Sequence, residues 1–319
     1  MPEPGEQMNA RDHIPFRVRP MLATLVARPF DKPGWAYEEK YDGYRILAYK
    51  QGTHVTLLSR NAKDRTHTFS SVAEAVAKLP ARTLLLDGEV VAFDRQGISR
   101  FQLLQNLKSE PKYAAFDCLY KNGRDLRADP LIARRAALEE TAGKTERERT
   151  GVFLSAILAT NGLKAFEVAR RKGFEGVVAK NKSAPYTEGR STNWLKFKVH
   201  QEDEFLVVGY TAPAGSRQYF GALLLGAYDQ KEIRYVGKVG TGFTQESLAK
   251  LFHAFQPLVR TRPAMVDPPR EKDVTYLTPR LIAQIAFEEW TDDQKLRQPV
   301  FLGLRDDKRP QDVTLPEAK

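Results

Sequence analysis

The chain has 319 residues, 42% of them hydrophobic, with 50 Lys and Arg against 40 Asp and Glu for a net charge of +10. That length allows a sizeable core divided between two domains, and the basic balance suits a polyanionic partner, because cations on a phosphate backbone release condensed counterions. Cys118 is the only cysteine, which excludes an intrachain disulfide or a cysteine-rich zinc site; with no apolar run near the roughly 18 residues of a membrane span, a soluble cytoplasmic protein with no membrane partner is expected.

Residues 1–20 are polar and proline-containing, without a hydrophobic signal segment, and are expected to form a flexible arm. From Trp35 to Arg60, the alternating runs "YRILAYK" and "HVTLLSR" flank "QGT" and read as a hairpin. In "SSVAEAVAKLP" the pattern is helical: Ser71 and Glu74 stand at capping-box spacing, Val72, Val76 and Leu79 share a face, and Pro80 stops the run. The segments "TLLLDGEVVAF" and "KYAAFDCLY" are apolar enough for buried strands. Amphipathic helices follow in "PLIARRAALEETAG" and "LKAFEVARRKG", the second with Gly173 as a left-handed cap, and then short strands in "EGVVAK" and "WLKFKV".

After His200 the texture changes. The strands "EFLVVGYT", "FGALLLGAYD" and "EIRYVGKVG" are spaced by glycine-bearing turns and followed by a helical stretch from Gln245 to Phe255, a pattern consistent with an OB-type barrel. The polar, aperiodic "KVHQEDE" places the domain boundary near residue 200.

Three apparent motifs carry no chemistry. "AGKT" at Ala142–Thr145 follows a helix and has Leu138 where a phosphate-binding loop needs glycine. "GKVGTGF" lacks the full dinucleotide spacing and its βαβ context. His13, His54, His67, His200 and His253 show no metal-ligand spacing, and no G-x-S-x-G nucleophile elbow occurs.

The stretch "EEKYDGYR" is different, because it puts Lys40 beside an Asp-Gly pair and an arginine. A lysine is nucleophilic only when neutral, and at an unperturbed pKa about one in 2,500 is neutral at pH 7. Nearby cations would lower that pKa, and Arg45, Arg60, Lys196 and Lys198 are candidates. Lys196 and Lys198 stand two apart on an expected strand and so share a face. Two ammonium groups side by side suit a phosphate between them; the plain alternative is a solvated strand edge. Glu89 and Glu175 lie in apolar surroundings, where a carboxylate is costly unless paired, hydrogen-bonded or bound to metal. With Asp42 they form three acidic groups beside four cations, which describes a nucleoside triphosphate site with magnesium. The plain alternative for each is a salt bridge capping a strand.

The ordered series "KYDGYR", "LSRN", "LDGEVV", "AAFD", "EGVVAK", "WLKFK" and "FLGLRDDKRP" resembles the motifs of ATP-dependent DNA ligases, in the superfamily of covalent nucleotidyltransferases with RNA ligases and mRNA capping enzymes. The similarity runs from about Pro20 to Pro310. "GYT" with "GSR", "GALLLGAYD", "RYVGKVGTGF" and "FLGLRDDK" most resemble the ligase module of bacterial end-joining enzymes. That resemblance implies an α+β fold: a nucleotidyltransferase (adenylation) domain of antiparallel sheets flanked by helices over 21–200, then a β-barrel OB-fold domain over 201–319.

The resemblance also implies roles. Lys40 would attack the α-phosphorus of ATP and carry AMP, with Asp42 orienting it or a metal. Arg45 would contact the ribose or the incoming 5′-phosphate, Arg60 the nick phosphate, and Glu89 the ribose hydroxyl or a metal. Phe116 would stack on adenine and Glu38 recognise its amino group. Glu175 would bind the metal, and Lys196 and Lys198 would neutralise the α-phosphate. Arg305, Asp307 and Lys308 would orient pyrophosphate during self-adenylylation, with a hinge near His200. The implied cofactors are ATP and Mg2+, with Mn2+ as a substitute. The implied partners are nicked double-stranded DNA and a Ku-like end-joining protein, for a monomer in the bacterial cytoplasm or nucleoid. An RNA ligase and a GTP-using capping-type nucleotidyltransferase share the lysine motif and are the nearest alternatives; a non-catalytic DNA-binding subunit of the same fold is a third. One cysteine argues against the zinc module of NAD+-dependent ligases.

Overall fold

The computed structural model describes residues 14–315 apart from 15, 27, 106–108, 144–150, 200, 214 and 216. Most of the expected arm, His13, the "KT" of "AGKT" and His200 of the expected hinge therefore lie outside the described residues. The chain divides into two compact units, Met1–Val199 and His200–Lys319.

The first unit opens with strands β1 (Met21–Leu25), β2 (Trp35–Lys40), β3 (Tyr44–Gln51) and β4 (His54–Ser59). Helix α1 (Ser70–Ala77), β5 (Thr83–Val91), the short α2 (Phe101–Gln105), β6 (Lys112–Lys121) and β7 (Arg124–Asp125) follow. Then come α3 (Leu131–Ala142), β8 (Val152–Leu154), β9 (Ile157–Ala159), α4 (Gly162–Lys172), β10 (Gly176–Asn181) and β11 (Gly189–Lys198). They build two sheets. The first runs β1-β11-β10-β2-β9, the second β4-β3-β5-β6-β7 with β8 beside β6. Pairing is antiparallel except at β1/β11 and β6/β8. The expected hairpin forms as β3 and β4, turned at Gly52 in the left-handed region. β2 belongs to the other sheet, so the chain changes sheets at Tyr41–Gly43, directly after Lys40.

Strand alternation sets the layers. Tyr37, Val177, Ala179 and Phe197 point from the first sheet toward Ala165 and Ala169 of α4. Ile46, Ala48, Leu84 and Leu86 point from the second sheet toward Val72 and Val76 of α1 and Leu138 of α3. The two inner faces meet through Leu47, Leu85 and Phe116 on one side and Met21, Tyr186 and Trp194 on the other, and Ile14 and Val18 are buried in the same cluster. α4 is capped as its sequence requires, with Asn161 accepting from the amides of Leu163 and Lys164 and Gly173 closing it at φ 75°. α1 differs from expectation. It starts at Ser70 behind Phe69, with no side-chain cap, so the Ser71/Glu74 capping box does not form; buried Phe69, Val72 and Val76 fix the helix instead.

The second unit is β-rich. Its elements are β12 (Gln201–Thr211), β13 (Leu223–Asp229), β14 (Glu232–Val239), α5 (Gln245–Phe255), β15 (Val259–Arg260), β16 (Val274–Leu277), β17 (Ile282–Phe287) and β18 (Val300–Arg305). β12 pairs with β13 on one edge and shares the other between β17 and β16; an isolated bridge from Thr241 to Val300 links the segment after β14 to β18. A Thr244–Ser247 capping box starts α5, which packs Leu248, Leu251 and Phe255 into a core with Phe205, Leu225 and Ile285. The whole is an α+β chain ending in an OB-fold-like unit. Among the described residues no helix is long and apolar enough to cross a membrane.

Candidate active site

Lys40 is the last residue of β2, and pairing across the first sheet decides its neighbours. Lys40 pairs with Gly176 and Gly176 with Lys198; Glu38 pairs with Val178 and Val178 with Lys196; Ala36 pairs with Lys180 and Lys180 with Trp194. By alternation, Glu38, Lys40, Lys180, Trp194, Lys196 and Lys198 share the face turned toward the second sheet. The expectation that Lys196 and Lys198 share a face holds, and Lys40 joins them in that row.

Gly176, the member between Lys40 and Lys198, has no side chain to separate them. A Cβ there would stand 2.3 Å from the carbonyl oxygen of Phe197 and 2.9 Å from Cα of Lys198. The preceding residue, Glu175, contacts Lys40 Nζ through Oε1. Its other oxygen, Oε2, is buried and has no hydrogen-bond partner among the described residues. Burial pushes this carboxyl up, but the ammonium groups of Lys40, Lys198 and Lys196 outweigh it and hold the group below its ordinary range.

The second sheet supplies Arg45, paired with Glu89 across β3 and β5. Its guanidinium is bidentate to Asp87, with Nε to Oδ1 at 2.5 Å and Nη2 to Oδ2 at 2.6 Å, and Nη2 also donates to the Met21 carbonyl at 3.1 Å. Tyr186 donates its hydroxyl to Asp87 Oδ2 at 2.6 Å and accepts from the Met21 amide at 2.8 Å. Burial lowers the Arg45 pKa, and Asp87 reverses that to a net rise.

Phe116 stands where the β5/β6 register slips between Asp87 and Gly88, a bulge that re-aims the side chain. Its ring meets Trp194 edge-to-face, with centroids 5.8 Å apart. Two ion pairs touch these rings. The Arg45 guanidinium lies 4.6 Å from the Phe116 centroid and 5.5 Å from that of Trp194. Lys180 Nζ lies 4.2 Å and 4.3 Å from the same centroids.

Lys180 in turn bonds Glu38 Oε2 at 2.8 Å, and both side chains are almost fully buried. Ser155 donates to the same oxygen at 2.9 Å, and Arg135 donates to Oε1 at 2.8 Å. Burial lowers the Lys180 pKa, and Glu38 and Asp117 offset only part of that.

Asp42 and Glu89 do not join Glu175 in a three-carboxylate metal site. Asp42 Oδ2 accepts from the Phe101 amide at 3.0 Å, and the Asp42 amide donates to Ser99 Oγ at 3.0 Å, so this side chain anchors the start of α2. Among the described residues no group of three or more His, Cys, Asp or Glu could hold a metal ion. Gly43 beside it is required by close approach, since a Cβ would fall 2.1 Å from the Val90 carbonyl oxygen. Arg60 occupies the turn after β4. In the second unit, Arg305 is bidentate to Asp307 at 2.9 Å and 2.9 Å, and Lys308 Nζ bonds Glu204 at 2.7 Å.

Several residues around Lys40 were not singled out from sequence. Lys180 and Trp194 lie inside "EGVVAK" and "WLKFK", and the alternation that aligned Lys196 with Lys198 would also have aligned Trp194. Asp87 stands two residues before Glu89 and shares its face. Tyr186, Arg135 and Ser155 carry no such signal, because packing brings them from distant segments.

A profile for the ATP dependent DNA ligase domain matches residues 20–198, and one for the ATP dependent DNA ligase C terminal region matches residues 216–308. The multifunctional non-homologous end joining protein LigD of Pseudomonas aeruginosa is 40% identical over 312 residues, covering 94% of this chain and 37% of that protein. DNA ligase 2 of Methanosarcina acetivorans is 32% identical over 312 residues, covering 89% of this chain and 54% of that protein. The solved structure of a mycobacterial DNA ligase D complexed with ATP and MES matches with a TM-score of 0.70 at 33% identity, covering 94% of this chain and 98% of that one. The chain thus spans about two fifths of the length of its end-joining relatives.

Proposed function

Because this chain belongs to the ATP-dependent DNA ligase family, we propose that it seals 3′-hydroxyl/5′-phosphate nicks in duplex DNA through an AMP adduct on Lys40. The observation that carries this reading is the contact of Lys40 Nζ with half-buried Glu175, with Lys198 in one row with Lys40 across the bare Gly176.

Three transfers balance. The neutral Lys40 amine attacks the α-phosphorus of ATP; an N–P bond forms, the bond to pyrophosphate breaks, and the departing proton has Glu175 Oε1 as its nearest acceptor. An oxygen of the nick 5′-phosphate then attacks the same phosphorus, breaking the N–P bond as Lys40 regains a proton. Finally the 3′-hydroxyl oxygen attacks the 5′-phosphate and gives its proton to solvent; the pyrophosphate bond to AMP breaks, AMP leaves, and the phosphodiester is closed. Such steps depend on positioning and charge neutralisation more than on covalent chemistry.

Lys196 and Lys198 would neutralise the α-phosphate from the row beside Lys40. Phe116 would stack on adenine and Glu38 would accept from its amino group. Glu89 would hold the ribose hydroxyl, and Arg45 would meet the ribose or 5′-phosphate with the Nη1 that Asp87 leaves. Arg60 would grip the nick phosphate, Asp42 would orient Lys40 or a metal, and Arg305, Asp307 and Lys308 would orient pyrophosphate. Glu175 Oε2, buried and without a hydrogen-bond partner among the described residues, suits a hard cation completed by phosphate oxygens, so magnesium, or manganese in its place, would sit there and neutralise phosphate charge. The end-joining names of the relatives support a role in break repair; we infer with it a Ku-like partner and a monomer acting in the bacterial cytoplasm.

The test is intact-mass measurement after incubation with ATP and Mg2+. One added AMP is expected on the wild-type chain and none on Lys40→Ala. An adduct that persists at full strength in the variant, or that forms with GTP and not ATP, overturns the reading.

A further inference from the structure

Glu38 is held on three sides by residues outside the row that carries the chemistry. Both of its oxygens are occupied to different degrees. Oε2 accepts from Ser155 Oγ at 2.9 Å and from Lys180 Nζ at 2.8 Å, which fills its two lone-pair directions. Among the described residues Oε1 accepts only from Arg135 Nη1, at 2.8 Å, which leaves one of its two directions for a further donor. The same guanidinium locks the clamp: Arg135 Nη2 donates to the Ser155 carbonyl at 2.6 Å. The Ser155 amide donates to the Ala115 carbonyl at 2.7 Å, one residue before Phe116. The carboxylate and the Phe116 ring therefore share one backbone frame.

We propose that Arg135 and Ser155 are positioning residues for base selection, fixing Glu38 so that Oε1 presents a single open acceptor position to a purine carrying an exocyclic 6-amino group. This rests on the proposed use of ATP and names what enforces the choice of adenine. An amino group donates to that oxygen. A 6-oxo group in its place sets two acceptors against each other, and a 6-hydrogen leaves the acceptor unmet. Glu38 is only 1% exposed, so either mismatch occurs with little water to relieve it. A buried polar group left unpaired is a stronger basis for discrimination than a lost apolar contact. Neither Arg135 nor Ser155 touches the base in this scheme. Their contribution is to the direction of the lone pair, with Arg135 orienting both the carboxylate and the serine that shares it.

The experiment measures Lys40 adduct formation with ATP, GTP and the triphosphate of unsubstituted purine riboside, in the full wild-type chain and in Arg135→Gln and Ser155→Ala. The wild type should favour ATP over the purine analogue by about tenfold in KM. In both variants that ratio should shrink to about twofold, while kcat with ATP falls less than KM rises. A role confined to folding would lower labelling by all three nucleotides alike and leave the ratios intact. Ser155→Ala removes one oxygen and no charge, so it decides the matter even where Arg135→Gln does not fold. Unchanged ratios in Ser155→Ala, or a wild type that uses the purine analogue as well as ATP, overturns the clamp. A wild type that takes no adduct from ATP at all refutes the proposed function instead.

Discussion

Lys40 Nζ and Glu175 Oε1 are in contact, and the second oxygen of that carboxylate is buried without a hydrogen-bond partner among the described residues. One carboxylate thus serves a cation on one side and holds an open lone pair on the other. Glu175→Gln keeps the shape and removes the charge, leaving Lys40, Lys196 and Lys198 without their common anion. Adduct formation on Lys40 should fall on the order of 100-fold. The sign of the pH effect follows from the depressed pKa. A carboxyl held below its unfolded value stabilises the fold above that value and loses the contribution as pH falls through the lower, folded one. The wild type should therefore lose stability more steeply than Glu175→Gln as pH falls below about 4.5. Urea midpoints between pH 3 and 7 check this; parallel profiles for the two proteins would show that the ion pair does not stabilise the fold.

Gly176 and Gly43 are both fixed by contact with backbone. An alanine Cβ at 176 would lie 2.3 Å from the Phe197 carbonyl oxygen, and at 43 it would lie 2.1 Å from that of Val90. Neither obstacle is a flexible side-chain end, so strands must separate. Each substitution should cost about 1–3 kcal/mol, a drop of roughly 2–4 °C in Tm per kcal/mol for a unit of this size. Gly176→Ala should also slow adduct formation, because the displaced strand carries Lys198. Calorimetry reads the first effect and intact mass the second. A Gly176→Ala protein with wild-type Tm would mean that the two strands can part at no cost.

These two glycines also show what the sequence made legible. Period-two alternation was enough to align Lys196 with Lys198, and the motif order located Lys40, Glu175 and Phe116. Sheet membership was hidden. Lys40 ends a strand of one sheet and Tyr44, four residues on, begins a strand of the other. Asp42 reads as an active-site carboxylate, and the sequence gives no sign that its Oδ2 also accepts from the Phe101 amide, a bond set by the path of the chain 59 residues later. Arg135 and Ser155 reach Glu38 from 97 and 117 residues away. Neither belongs to a periodic pattern that points at Glu38, so only tertiary packing reveals them.

Arg134 and Asp117 are both fully buried and joined by two bonds, Nε to Oδ1 at 2.8 Å and Nη2 to Oδ2 at 2.9 Å. Arg134 Nη1 also donates to the carbonyls of Asp129 and Ala184. Asp117 follows Phe116 directly, so this pair fixes the strand that carries the stacking ring. Arg134→Met would strand a buried carboxylate and two carbonyls, a loss of about 3–5 kcal/mol. Replacing both partners with apolar residues, Arg134→Met with Asp117→Leu, should recover much of it, because no charge is left unpaired. Urea unfolding of the single and double variants decides between them. A double variant no more stable than the single one would show that the pair's carbonyl bonds, not its charges, hold α3.

Cys118 offers a probe that does not depend on function. It is fully buried in the core between β6 and the helices, and burial pushes its thiol up to about 12, with the Asp117 carboxylate adding to the rise. Alkylation requires the thiolate, so at pH 8 roughly one thiol in 10,000 is in the reactive form, before access is considered. Iodoacetamide should therefore leave the native chain unmodified over hours and label one site within minutes in urea. Because Cys118 sits two residues beyond Phe116, its protection reports the integrity of the strand under the site. Any variant above that loses activity while keeping Cys118 protected has been altered at the site around Lys40, and one that exposes the thiol has been altered in the core. Rapid labelling of the folded wild-type chain at pH 8 would contradict the buried environment assigned to β6.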